Sequence, residues 1–147
     1  MDTHSFVLVS LAMIISLSLP ATTRFVNDPK DDLFRQCCLT KPLAKEAYAA
    51  CQYTRPYGPM LDIIRGHLIG SPGGLVEYLE CATGRKDLTG CCKKKEIEGE
   101  LCLFFCNGSS IREALHPNMP SELVCAGVEE GKVEGMRKCF YENGYDL

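Results

Sequence analysis

Ten cysteines constrain this chain more than any other feature: two adjacent pairs, Cys37-Cys38 and Cys91-Cys92, and six single residues, Cys51, Cys81, Cys102, Cys106, Cys125 and Cys139. Four of them crowd into the short stretch GCCKKKEIEGELCLFFC. Thiols at this density hold a metal, carry out exchange chemistry or staple a fold. Structural zinc needs two knuckles whose ligands converge tetrahedrally, and only Cys102 and Cys106 have knuckle spacing. His4, His67 and His116 stand far from any second knuckle. Exchange chemistry uses a thiol of low pKa, typically in C-x-x-C, a motif this sequence lacks. Structural disulfides remain, and an even count predicts five of them, with no metal and no cofactor.

The compartment follows from the amino-terminal end. Phe6 to Leu19 is a run of apolar and serine side chains, followed by PATT. Fourteen helical residues reach about 21 Å, short of a hydrocarbon core of ~30 Å. A secretory signal peptide over residues 1–23 fits this length, with Ala21 and Thr23 as small residues before the cut. No other apolar stretch approaches membrane length. The expectation is a secreted, extracellular mature chain of residues 24–147, in a compartment where disulfides persist.

Between the cysteines the pattern is helical. Asp31 or Asp32 can cap a first helix in which Leu33, Phe34, Cys37 and Cys38 share a side. Pro42 ends it and opens LAKEAYAACQY, rich in helix formers. TRPYGP breaks the chain, MLDIIRGHLIG reads as a third amphipathic helix, and SPGG breaks it again. LVEYLECATG predicts a fourth helix closed by Gly84, NGSS is a loop, and a last helix runs from a Ser121 cap to about Tyr141. Alternating strand patterns are nearly absent. The fold class is all-α: a small disulfide-stapled bundle of short helices. Such helices are marginal in water alone, so bridges worth ~2–4 kcal/mol each would dominate stability.

The sequence also repeats itself faintly. DDLFRQCCLTKPLAKEAYAAC lies over KDLTGCCKKKEIEGELCLFFC, matching Cys37-Cys38 to Cys91-Cys92 and Cys51 to Cys106. Four residues before Cys106 stands Cys102; four residues before Cys51 stands Ala47. Adjacent cysteines on one helical turn project about 100° apart. Each pair should therefore tie its helix to two different neighbours. The connectivity itself stays open.

Catalytic constellations are not apparent. GSPGG around Ser71 is a turn rather than a nucleophile elbow, His67 belongs to a polar helix face and His116 to a loop. Cys92 is followed by Lys93-Lys94-Lys95, not by the His-Asp pair of secreted phospholipases. The net charge of −3 recruits neither nucleic acid nor anionic membrane, and the lysine run is balanced by Glu96, Glu98 and Glu100. Two modest sites remain. Asn107-Gly108-Ser109 is an N-glycosylation triplet. QYTRPYGPM, with Arg55 between Tyr53 and Tyr57 and two prolines, is a candidate binding loop.

LFRQCC, LVEYLECATGRKDLTGCC, CLFFCNG and KCF together resemble the DB module, a cysteine-rich extracellular domain without an assigned biochemical activity. The most specific string is Glu77 to Cys92, with Asp87 at the family's acidic position; the resemblance spans about residues 33–141. It implies a module that recognises an extracellular protein, with no catalytic residues to carry over. The expected function is thus a monomeric interaction module, with an inhibitor or ligand of a secreted enzyme as the alternative and an enzyme disfavoured. The family pattern carries cysteines where this chain has Ala47 and Ser71. Their joint loss implies one vanished bridge, with the two positions still facing each other.

Overall fold

The computed structural model describes residues 28–69, 71, 73–114 and 130–147. Residues 1–23, expected from the sequence to be a signal peptide, and His116, Ser121 and Cys125 lie outside the described residues. Among those described, the chain is helical throughout, with one isolated bridge between Asp87 and Asn107 and no strand.

Helix α1 spans Pro29–Leu39. Its cap is Asp28, whose carboxylate accepts from Lys30 N at 2.8 Å, with Pro29 in the first helical position. The expected caps, Asp31 and Asp32, sit one turn too late. Asp31 is instead buried and accepts from the Tyr53 N–H at 2.6 Å and from the Thr54 hydroxyl, pinning the chain 22 residues downstream. Phe34 and Cys38, four apart, face the core.

The second expected helix shortens to a 3₁₀ helix, Lys45–Ala50. The Cys38–Cys51 disulfide brings those Cα atoms to 6.5 Å within a loop of 13 residues, so the chain must turn back at once. The three-residue 3₁₀ period also stacks Ala47 and Ala50 on one stripe, both fully buried. Helix α2, Tyr57–Ile63, starts inside the expected break, with Pro59 tolerated in its first turn. It runs into a π-helical turn, Ile64–Leu68, closed by Ile69 N on Ile64 O at 3.0 Å. That turn packs on the 3₁₀ helix and leads towards Ser71. His67 is exposed there.

Helix α3, Gly74–Ala82, is the central rod, with Tyr78, Leu79, Glu80, Cys81 and Ala82 all buried. It packs on α1, the π turn and a later one-turn helix. Gly84, at φ +60°, closes it in a Schellman arrangement: Arg85 N bonds Glu80 O at 2.9 Å and Gly84 N bonds Cys81 O at 3.1 Å. Helix α4, Thr89–Lys94, begins where Asp87 accepts from the Thr89 hydroxyl and N–H at 2.7 and 3.0 Å. Those bonds, the hydroxyl's first, hold the Asp87 carboxyl below its usual range. Helices α5 (Glu100–Phe105), α6 (Ile111–Ala114) and α7 (Glu130–Asn143) follow. On α7, Met136, Cys139 and Phe140 recur at helical spacing and are buried.

Each cysteine pair does serve two neighbours. Cys37 bridges to Cys81 on α3 and Cys38 to Cys51 after the 3₁₀ helix. Cys91 bridges to Cys139 on α7 and Cys92 to Cys106 after α5. Cys102 is buried and also disulfide-bonded. Among the described residues no cysteine is free.

Candidate functional site

These four bridges divide the molecule. Two close within residues 37–81 and two within 91–139, and none of the four joins one set to the other. Among the described residues the chain is thus two stapled halves, divided near Asp87, that meet along a seam which none of these four bridges crosses.

Backbone packs on backbone at that seam. A Cβ on Gly84 would overlap the Gly144 carbonyl, and one on Gly108 would overlap the Thr83 hydroxyl. The last carbonyls of α3 lack intrahelical donors, and tyrosines from both halves supply them. Tyr53 donates to Ala82 O at 2.5 Å and Tyr145 to Cys81 O at 2.7 Å. Burial pushes both phenol pKa values up, Tyr145's to about 12. Reciprocally, Lys30 of α1 donates to the Tyr141 and Glu142 carbonyls at the end of α7 (2.8 and 3.2 Å). Phe34 and Tyr53 pack at 4.6 Å between centroids, and Tyr141 meets Tyr53 edge-on at 5.7 Å.

Ion pairs border the seam. Lys41 contacts Glu77 and Glu80 at 2.6 and 2.7 Å, and Arg112 of α6 reaches the same carboxylates at 2.7 and 2.8 Å. The Lys41 and both glutamate side chains are about nine-tenths buried. Hydrogen bonds from Arg112, then Lys41, outweigh burial and lower the Glu80 pKa to about 2. For Glu77, burial pulls upward, but bonds from Lys41 and Arg112 prevail and lower it too. On the other side, Arg137 of α7 donates to the Tyr53 carbonyl at 2.8 Å and to the Arg55 carbonyl, while pairing with Glu134 at 2.7 and 3.0 Å.

A partly open cavity of about 90 Å³ lies between the halves, with Arg137 in its wall. Met60, Ile64 and Tyr78 of the first half face Phe105, Met136 and Phe140 of the second. No sequence motif announced it, because its walls come from four separate helices and a π turn. The only advance signal was apolar residues recurring on α2, α3 and α7 in excess of what each helix buries alone.

The expected binding loop does not form as one exposed unit. Tyr53 is 5% exposed and belongs to the core; Arg55 is half-buried and Tyr57 opens α2. Its phenol was recruited inward by the α3 carbonyls, which sequence spacing does not reveal. Asn107 is half-buried beside the seam, its Oδ1 accepting from the Ser109 hydroxyl at 2.6 Å. Among the described residues, no three His, Cys, Asp or Glu side chains are placed to hold a metal. No helix there is long and apolar enough to cross a membrane.

A family model described as the DB module matches residues 37–140. Neither the curated proteins nor the solved structures contain a match.

Proposed function

The chain belongs to the DB module family, and from that premise we propose that it is a secreted, monomeric binding module that recognises another extracellular protein rather than transforming a substrate. In this reading residues 1–23 are removed on secretion and Asn107 carries a glycan. The observation that carries it is the chemistry of the seam. Its cavity is walled by aliphatic, aromatic and thioether groups, and Arg137, the charged residue of its lining, pairs with Glu134 at 2.7 Å. Such a site offers apolar contact and shape, the currency of recognition. Tyr53, one of the two tyrosines flanking Arg55 in the inhibitor-loop alternative, is buried in the core.

The test begins with the oxidised protein from a eukaryotic secretion host. It should elute as a monomer at all concentrations, and an N-glycan amidase should shift its mobility unless Asn107 is changed to Gln. Proximity labelling in extracellular fluid, followed by titration with each purified candidate, should yield a partner bound by the oxidised form and not by the reduced, alkylated form. Concentration-dependent self-association with no saturable partner would overturn the reading in favour of a matrix role.

A further inference from the structure

We propose that the seam cavity is a binding site for an uncharged aliphatic ligand, which inserts the end of one alkyl chain between the two stapled halves. This rests on the same cavity as the recognition reading and names a different occupant for it. The largely apolar wall offers water few polar partners. A buried water needs two to four polar partners, and the lining supplies two polar side chains, Tyr78 and Arg137. The Tyr78 hydroxyl lies 3.5 Å from Ala50 O and 3.8 Å from Met60 Sδ. Arg137 is held by two carbonyls and by Glu134.

Charge selects among organic ligands. Arg137 is the one ionic side chain of the lining, and Glu134 already neutralises it. A carboxylate head would meet a spent cation, whereas an alcohol, ester or hydrocarbon pays no such penalty. Size selects further. A dry protein cavity of ~150 Å³ admits benzene, so about 90 Å³ suits a few methylenes in line better than a ring. The half-exposed residues at the mouth, Leu75 and Val133 among them, let a longer chain continue outward. Met60 and Met136 on opposite walls are adaptable fillers. None of the four described bridges crosses the seam, so none of them sets the cavity's width.

The probe is a series of straight-chain alcohols from butanol to decanol, added to the oxidised full chain carrying labelled methionine methyls. Met60 and Met136 signals should shift saturably. Affinity should tighten about fourfold per added methylene, the equivalent of ~0.8 kcal/mol each, and level off once the chain emerges. The melting temperature should rise at saturation, and octanoate should bind at least tenfold more weakly than octanol. Val133→Phe and Leu75→Phe fill the mouth from opposite halves. Each variant that retains its bridges and helical spectrum should lose octanol at least tenfold. The proposal is overturned by the absence of saturable shifts, by octanoate binding as well as octanol, or by binding that survives both fillings. It is equally overturned if only a protein partner moves the two methionine signals, which would make the cavity a side-chain socket.

Discussion

Residues 28–86 and 87–147 carry the same covalent plan and different interiors. In each half the first cysteine of the pair reaches far, across 44 residues from Cys37 to Cys81 and 48 from Cys91 to Cys139. The second closes a short loop, 13 residues for Cys38–Cys51 and 14 for Cys92–Cys106. The interiors diverge at the third position of the repeat. The second half has a disulfide-bonded Cys102, the first half a fully buried Ala47. The first half also has Phe34, Tyr53 and Tyr78 in ring contact and the ion-paired carboxylates of Glu77 and Glu80. The comparison teaches that one covalent plan supports two interiors: a third cysteine position beside aliphatic residues such as Ile97 and Ile111 in one half, and a three-ring aromatic cluster with paired buried carboxylates in the other.

Removing bridges is the strongest way to break this parallel. In the chain-entropy account, replacing either long bridge by alanines costs ~4 kcal/mol and either short one ~3 kcal/mol. Denaturant unfolding should rank the four double variants by loop length, with the two halves nearly equal at each length. A half whose long bridge proves dispensable would show that the repeated plan is not a repeated energetic role. The intact protein should also weigh about 10 Da less than its reduced form, five bridges in all. By count, the peptide containing Cys102 should be linked to the one containing Cys125.

The seam between the halves comes next. Gly84→Ala places a Cβ at φ +60° against the Gly144 carbonyl, combining backbone strain with a clash that neither half can relieve alone. A loss of ~3 kcal/mol is expected. Gly58, in the first turn of α2, has open space around it, and Gly58→Ala should change stability by less than ~1 kcal/mol. Similar losses at both positions would mean the seam is looser than its geometry.

The ionic network should make the first half the acid-sensitive one. Glu80 titrates at about 2 in the fold against ~4.3 in an unfolded chain. A lowered pKa stabilises above the unfolded value, and that contribution drains away as pH falls from ~4.3 through about 2. Glu80→Gln should therefore cost ~2 kcal/mol near neutrality and progressively less below pH ~4. A pH-independent cost would show that the carboxylate's shape, not its charge, is what Lys41 and Arg112 require.

Much of this plan was readable beforehand, for local reasons. Adjacent cysteines on a helical turn must diverge, so Cys37-Cys38 and Cys91-Cys92 had to be hubs, and the repeat aligned them correctly. Gly84 ended α3 because a left-handed residue is needed there. What escaped was set by distant partners. Asp28 and Asp31 offer the same carboxylate, and only the chain returning at Tyr53 and Thr54 decides which one caps α1. Ala47 and its neighbours favour a long helix, and the Cys38–Cys51 closure overrules them. Tyr53 looked like a loop anchor because its acceptor, the Ala82 carbonyl, lies 29 residues away.

The smallest expected effect sharpens the comparison most, because it would restore the missing staple. Ala47 precedes Cys51 by four residues as Cys102 precedes Cys106, and Ser71 follows Ala47 at nearly the interval by which Cys125 follows Cys102. The 3₁₀ helix carrying Ala47 packs on the π turn Ile64–Leu68, and Ser71 N bonds Leu68 O at 3.4 Å just beyond it. Both positions therefore belong to one corner of the first half. Ala47→Cys alone puts a sulfur where exposure is zero, and overpacking should cost ~1–3 kcal/mol. Joined to Ser71→Cys, the same sulfur gains a partner, provided the Cα atoms lie within about 7 Å. Loop closure is then worth ~3 kcal/mol at most. Set against the crowding, a net gain of ~1 kcal/mol is expected, visible as a higher denaturation midpoint and a further 2 Da or so of mass lost on oxidation. The sign of the coupling is the decisive reading. If the double variant keeps two free thiols, or is no more stable than Ala47→Cys alone, the two halves never shared a third bridge, and the aromatic core of the first half is an original feature rather than a replacement.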